Sequence, residues 1–453
     1  MTETRTIKVE ALTRVEGEGG LHIRMNGSVI EDVQLSIYEP PRFFEAFLHG
    51  RPLEDVPDLT ARICGICPVA YQMSSVHALE AALGAQISPE IRKLRRLLYC
   101  GEWIESHALH MHLLHAPDFF DADSGIDLAS QFPDEINRGL QLKKHGNTLL
   151  EVLGGRAIHP INVAIGGFYR APRRDELQKL IPDFEWGLQA AIEATRWVAG
   201  FTFPDFERDY EMVALSHPDE YAMNEGRLRS TSGLDISVAE YEQNFHEQHA
   251  QHSTALQSVK EPSATAADNP TPLADLHFSQ GCYHVGPLAR VNLNRETLSP
   301  AAKRTADEIG FDTPCWNPFK AIIARGLELI HAFEEGLEIL RDYRPVKPPK
   351  IPYDYKAGEG MAATEAPRGM LYHRYKVDDN GKVTFANIVP PTSQNQRQIE
   401  ADLRDYLPRV LCEYDRQTAV GCEKLIRSYD PCISCSTHFL KITWGQAGKQ
   451  ETR

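Results

Sequence analysis

Four cysteines stand in two Cys-x-x-Cys pairs: Cys64 and Cys67 in RICGIC, Cys432 and Cys435 in DPCISC. The short spacing puts the two sulfurs of each pair within chelating reach. Thiolates are soft ligands suited to zinc, iron and nickel. Zinc modules usually place their pairs within a few tens of residues, whereas here almost the whole chain intervenes. The residues alone therefore leave three readings open: a structural zinc site, two unconnected redox pairs, or one metal site over which the fold closes its ends. Gly65 leaves the backbone between the first two ligands unencumbered. Asp430, two residues before Cys432, is a carboxylate placed to orient a ligand or relay a proton.

Other candidate ligands are weaker. His107, His110, His112 and His115 do not share one helical face, so they read as buried or partner-facing. NFHEQHAQH, with His246, His249 and His252, has a chelating look but reads better as a solvated helix face. The remaining cysteines (Cys100, Cys282, Cys315, Cys412 and Cys422) are scattered and read as small buried hydrophobes.

Distant segments must carry the pairs to each other. TIKVEAL, GLHIRM and DVQLSIY alternate with period two and predict a small antiparallel sheet. Ser88-Pro89-Glu90 predicts an N-cap with proline at the first helical position, opening a long helix that ends near Pro117. Helical periodicity also runs through DELQKLIPDFEWGLQAAIEATRWVAGF, PFKAIIARGLELIHAFEEGLEILRDY and QIEADLRDYLPRVL. Asp378-Asp379-Asn380-Gly381 predicts a hairpin turn. EPSATAADNPTPLAD is the best loop candidate and too short for a domain boundary. The fold class expected is mainly α (α+β), a large helical body with small antiparallel sheets near the termini.

The net charge of −15 disfavours nucleic acid, which calls for a basic face. No apolar run approaches the ~20 residues that span a bilayer. The N-terminus has neither an apolar signal core nor a twin-arginine pattern, so a cytoplasmic location is expected. Nine cysteines in that compartment do not suggest a disulfide framework.

RICGICPVAYQMSSVHALE together with DPCISCSTH resembles the large, catalytic subunit of [NiFe] hydrogenases. RVEGEGGLHI, RFFEAFLHGR, GGRAIHPINVAIGGF, EAPRGMLYHRY and NIVPPTSQNQ follow in the family's order, so the resemblance covers essentially the whole chain. GPLARVNLN, EAPRGMLYHRY and VPPTSQN are most similar to the cytoplasmic subgroup coupled to NAD(P), sulfhydrogenase alpha subunits included.

The resemblance implies a nickel–iron centre and reversible heterolytic cleavage of H2. Cys64 and Cys432 would be terminal nickel ligands. Cys67 and Cys435 would bridge to an iron carrying carbon monoxide and cyanide. Cys432, or a group just above nickel, would be the first base, and Glu16 the proton-transfer carboxylate. Arg368 would lie over the open coordination site, with Asp430 and Asp118 as surrounding carboxylates. Thr392 would hydrogen-bond a cyanide. Glu45, His438 and a backbone carbonyl of ANIV would hold magnesium (or iron) near the C-terminus. Tyr71 stands where relatives carry a histidine, which removes that hydrogen bond to a bridging sulfur.

The resemblance also implies a single domain over residues 1–438 and a C-terminal extension, 439–453, removed by a maturation endopeptidase after nickel chaperones have acted. The chain offers no further cysteine cluster and no Gly-x-Gly-x-x-Gly start. Electrons would therefore leave through a small subunit with iron–sulfur clusters, with FAD-containing diaphorase subunits for NAD(P) beyond it. Rival readings are a hydrogen sensor, a zinc or redox scaffold, and the related quinone-site subunit of respiratory complex I, which lacks the thiolate quartet.

Overall fold

A computed structural model describes residues 4–40, 42–261, 277 and 279–437. Its centre is a group of long helices: Pro68–Leu83, Pro89–Leu109, Pro133–Gly154, Ile181–Ala199 and Ala321–Asp342. One apolar cluster runs through them, from Leu48 to Cys435. The Pro68–Leu83 helix is buried except at His77 and Ala81, the pattern of a helix enclosed by protein. It starts directly after Cys67, so the first thiol pair is set deep inside the body.

The predicted cap at Ser88 is present: its side chain accepts the Ile91 N–H. That helix runs to Leu109 and then widens into a π-helical turn, His110–His115, before a 3-10 turn, Ala116–Phe119. Pro117 has no N–H to continue the ladder. The four histidines, expected to be buried or partner-facing, are buried. His107 meets Glu328, His110 the Arg427 carbonyl, His112 the Ala108 carbonyl and His115 Asp118.

The N-terminal sheet is Thr4–Val9, Gly19–Asn26 and Val29–Ile37, antiparallel in chain order, with Ile7 opposite Ile23 and Ile23 opposite Val33. Its apolar face packs on the C-terminal helices Pro391–Val410 and Asp415–Ser428, through Ile399, Leu403, Leu407, Leu425 and Ile426. This is how the two ends of the chain meet. The predicted hairpin joins Gly369–Val377 to Val383–Val389, with Gly358–Ala366 on the outer side.

Three small sheets lie mid-chain and were not expected: Val213–Ser216 with Arg227–Ser230 and Asp235–Ile236, Phe245–His249 with Leu256–Lys260, and Val163–Ala164 with Gly167–Phe168. NFHEQHAQH is therefore a strand and its turn, not a helix face. Phe245 is buried against Tyr241 and Tyr283, and that packing overrides the helical spacing of the histidines. His252 is 2.6 Å from Glu400. Among the scattered cysteines, Cys100, Cys315 and Cys422 are buried, whereas Cys282 and Cys412 are partly exposed. Nearly all of the predicted loop EPSATAADNPTPLAD lies outside the described residues.

Candidate metal centre

The first pair sits in a turn that feeds the Pro68–Leu83 helix. Cys64 Sγ accepts the N–H groups of Ile66 at 3.3 Å and Cys67 at 3.2 Å. The second pair leaves the end of the Asp415–Ser428 helix. Asp430 takes a left-handed φ of 55°, a region that Asp tolerates better than most residues. Pro431 follows, and the chain turns through Cys432 into the 3-10 turn Ser434–Thr437.

RVEGEGG closes on this turn. The Ile433 N–H donates to the Glu16 carbonyl at 2.9 Å. Gly17 has φ 88°, and a Cβ there would lie 2.8 Å from Ile433 Cβ. Glycine alone permits both that conformation and that approach. The result is that Glu16 Oε2 accepts the Cys432 S–H at 3.1 Å and the Ser434 N–H at 3.1 Å.

Fold closure brings the pairs together. Cys64 Sγ lies 3.5 Å from Cys432 Sγ, and Cys67 Sγ 3.8 Å from Cys435 Sγ. All four sulfurs fall within 4.8 Å of one another, and each residue is buried. Burial raises the Cys64 thiol, but hydrogen bonds from the other three and the charge of Arg368 outweigh it and hold Cys64 well below the ordinary thiol value. The other three are pushed up, Cys432 and Cys435 foremost by burial. One sulfur ionises at the expense of its neighbours, because like charges this close disfavour each other. Four thiolates here call for highly charged cations between them.

The Arg368 guanidinium is buried beside this cluster. Its Nε donates to the Asp430 carbonyl at 2.8 Å and its Nη2 to Asp430 Oδ1 at 3.1 Å. Arg325 Nη2 is 3.9 Å from Asp430 Oδ2. Arg368 Nη1 is buried and has no hydrogen-bond partner among the described residues. Thr392 Oγ1 accepts the Cys432 N–H at 3.0 Å, which leaves its O–H free to donate. Ser393 Oγ, next along, is buried without a partner among the described residues. Spare donors beside four soft thiols fit a metal centre that carries hydrogen-bond-accepting ligands of its own.

A family model described as nickel-dependent hydrogenase matches residues 42–137 and 319–438, the stretches that carry both cysteine pairs. Sulfhydrogenase 2 subunit alpha of Pyrococcus furiosus is 32% identical over 445 residues, covering 96% of this chain and 100% of that protein. The chain belongs to the nickel-dependent hydrogenases. NAD-reducing hydrogenase HoxS subunit beta of Cupriavidus necator is 27% identical over 478 residues, covering 96% of this chain and 95% of that one. The crystal structure of an NAD+-reducing [NiFe]-hydrogenase in the H2-reduced state matches at TM-score 0.84 and 24% identity, over 97% of this chain and 100% of that chain. That is a likeness of fold. As a member of the family the chain is a hydrogenase catalytic subunit, an oxidoreductase acting on H2 with a nickel–iron centre.

In this hydrogenase the predicted residues separate by distance from the sulfurs. Glu16, Arg368, Asp430 and Thr392 are brought to the cluster or to its immediate neighbours. Asp118 is not: it pairs with Arg14 at 2.6 Å, Arg427 at 2.8 Å and His115 at 3.2 Å. Those partners hold its carboxyl below the ordinary carboxylate range against burial, which raises it. Among the described residues Asp118 makes no ion pair with Arg368 and no hydrogen bond to a thiol. Glu45 lies against the ANIV strand, its Oε1 accepting the Ile388 N–H at 2.7 Å. His438 lies outside the described residues. Tyr71 is buried one helical turn after Cys67, with its ring 5.7 Å from that of His373. Sequence reasoning missed Arg325 and Ser393. Ser393 had a signal, since it follows Thr392 at the start of a helix, but Arg325 sits in an ordinary helical pattern.

Proposed function

We propose that this subunit cleaves H2 heterolytically and reversibly and exchanges the electrons with NAD(P) through an iron–sulfur small subunit. One observation carries the reading: four buried thiols within 4.8 Å, with a carboxylate on one of them and a buried, partly unpaired guanidinium beside them. Cys64 and Cys432 would be terminal ligands to nickel, and Cys67 and Cys435 would bridge to an iron carrying carbon monoxide and cyanide. When bound, that centre supplies the Lewis acidity that polarises H2 and the oxidation states that take its electrons.

The chain's own residues handle the proton and the field. Cys432 Sγ takes the proton, and Glu16 Oε2 receives it as the S–H bond breaks and the O–H bond forms, at hydrogen-bond distance. Arg368 holds positive charge at a buried site. Asp430 fixes the guanidinium plane, so little reorganisation is needed during the reaction. The Thr392 hydroxyl holds the Cys432 backbone and has its O–H left for a cyanide nitrogen.

The name of one relative, an NAD-reducing hydrogenase subunit, supports the NAD(P) coupling. The subunit designations of that relative and of a sulfhydrogenase alpha subunit support a multi-subunit assembly, in which flavin-bearing diaphorase subunits would be the partners for NAD(P). No helix among the described residues is long and apolar enough to cross a membrane, in keeping with a cytoplasmic complex. Glu45 beside ANIV supports a magnesium site completed by His438. Residues 1–438 would form the mature single domain, with 439–453 removed on maturation.

The test is purification with partner subunits, nickel and iron quantification, and infrared spectroscopy. Carbon monoxide and cyanide bands with both metals are expected; zinc alone would overturn the reading. Mass spectrometry of the mature subunit reads the C-terminus, and an intact Arg453 in active enzyme would overturn the processing step.

A further inference from the structure

The backbone around the first cysteine pair has an unusual problem. Cys67 occupies the N-cap position of the Pro68–Leu83 helix and makes no side-chain cap hydrogen bond. An N-cap side chain ordinarily accepts the N–H of the second or third helical residue. Cys67 Sγ lies instead toward Cys435 Sγ, at 3.8 Å. Pro68 has no N–H, but those of Val69 and Ala70 point out of the helix end and need an acceptor.

Glu102 supplies it from another helix. Its Oε2 accepts the Val69 N–H at 2.6 Å and its Oε1 the Ala70 N–H at 3.0 Å. Glu102 is fully buried, on the Pro89–Leu109 helix. The N–H groups of Ile66 and Cys67 already go to Cys64 Sγ. Four backbone donors between Ile66 and Ala70 are thus divided between one sulfur and one carboxylate, and none is left for Cys67 Sγ. Burial and the charges of Glu105 and Cys64 push the Glu102 carboxyl up against the two backbone hydrogen bonds. Holding a carboxyl in this place is costly, and an apolar residue would pack there more readily.

We propose that Glu102 is a positioning residue for Cys67, a surrogate N-cap that keeps its sulfur free to bridge the metals. This rests on the metal-centre reading above. Without Glu102, the Val69 and Ala70 N–H groups turn to the nearest acceptor at the helix end, Cys67 Sγ. A thiolate that accepts N–H bonds donates less charge to a metal, and its side chain rotates away from Cys435.

The test uses the purified multi-subunit complex with Glu102→Gln and Glu102→Leu. Gln keeps one acceptor oxygen and Leu keeps none, so the effects should be graded. Nickel and iron retention should weaken roughly 10–100-fold in the Leu variant, as for other residues that orient metal ligands. In the Gln variant the metals should remain, with the infrared bands of the iron ligands displaced from their parental positions. The decisive variant is Glu102→Gln combined with Val69→Pro. Proline is tolerated in the first helical turn and removes the donor that would capture Cys67. The double variant should move the bands back toward the parent, which a merely structural role for Glu102 would not produce.

If the Leu variant does not fold, the Gln variant and the double variant decide. Parental metal content and bands in Glu102→Gln overturn the proposal, and so does a displacement that Val69→Pro leaves unchanged. A parent complex without nickel and iron would overturn the metal-centre reading itself, a result separate from either of these.

Discussion

Two buried arginines, Arg290 and Arg368, are built in opposite ways. Arg290 is completely engaged: Nε and Nη2 clasp Glu328 at 2.6 and 2.7 Å, and Nη1 meets Glu365 at 3.0 Å. The carbonyls of Ala366 and Pro367 accept as well, at 2.8 and 3.0 Å. The guanidinium also lies 4.5 Å from the Trp103 ring, and Glu328 is further held by His107 and Tyr221. Arg368, the residue after Pro367, leaves one nitrogen unpaired beside four thiols. A buried charge costs free energy unless it is paired. The first arginine is therefore part of the scaffold. The second keeps a donor in reserve, and that reserve marks the reacting site.

The contrast can be broken first on the open side. Cys432→Ala should abolish nickel retention and H2 oxidation together, measured by metal quantification and dye reduction; activity in that variant would sink the ligand assignment. On the closed side, Arg290→Met should destabilise the fold by about 3–5 kcal/mol, because Glu328 and Glu365 are left buried without their partner. Denaturant titration reads this, and a native midpoint would show that Arg290 is not structural. Arg368→Lys keeps the charge and loses the fork. Its turnover should fall on the order of 10²-fold with metal content retained; unchanged turnover would remove Arg368 from the chemistry.

Acid acts on the buried histidines. Burial depresses His107, His112 and His115 from 6.5 to about 4. The unfolded chain therefore takes up protons that the folded one refuses. Their stability contribution is intact above about 6.5 and is lost as the pH falls toward about 4. Each costs roughly 1.4 kcal/mol per pH unit over that window. Denaturation midpoints across this range test it, and a flat profile would contradict the buried neutral state. The smallest effect belongs to Ser393→Ala. Removing an unpaired buried hydroxyl should leave stability unchanged or raise it by up to about 1 kcal/mol, whereas a clear loss would mean that Ser393 has a partner in the folded protein.

The local parts of this architecture were legible and the long-range parts were not. Ser88-Pro89 announced its helix because a cap is chemistry between neighbours. The cysteine pairs kept a metal site among their readings, because thiols spaced to chelate are also local chemistry. The pairing of Asp118 with Arg14 and Arg427 was not legible, because those partners lie 104 and 309 residues away, and nothing local reports such pairings. NFHEQHAQH misled because histidines at helical spacing carry no information about Tyr283, the ring that buries Phe245. Asp430 was expected near Arg368 only through the resemblance, as a surrounding carboxylate, since 62 residues separate the two.

The bridge between Glu16 and the turn at Cys432 has one more consequence. Joining Cys64 to Cys432 closes a loop of 368 residues. Loop-closure entropy grows only with the logarithm of length, about 0.6 kcal/mol per doubling. Relative to ligands some twenty residues apart, the penalty is therefore roughly 2–3 kcal/mol, well within what metal–thiolate bonds return. The burden falls on time instead. Contacts this distant in sequence form slowly, so this centre is among the last parts of the molecule to assemble, and a ribosome must release nearly the entire chain before its fourth sulfur exists.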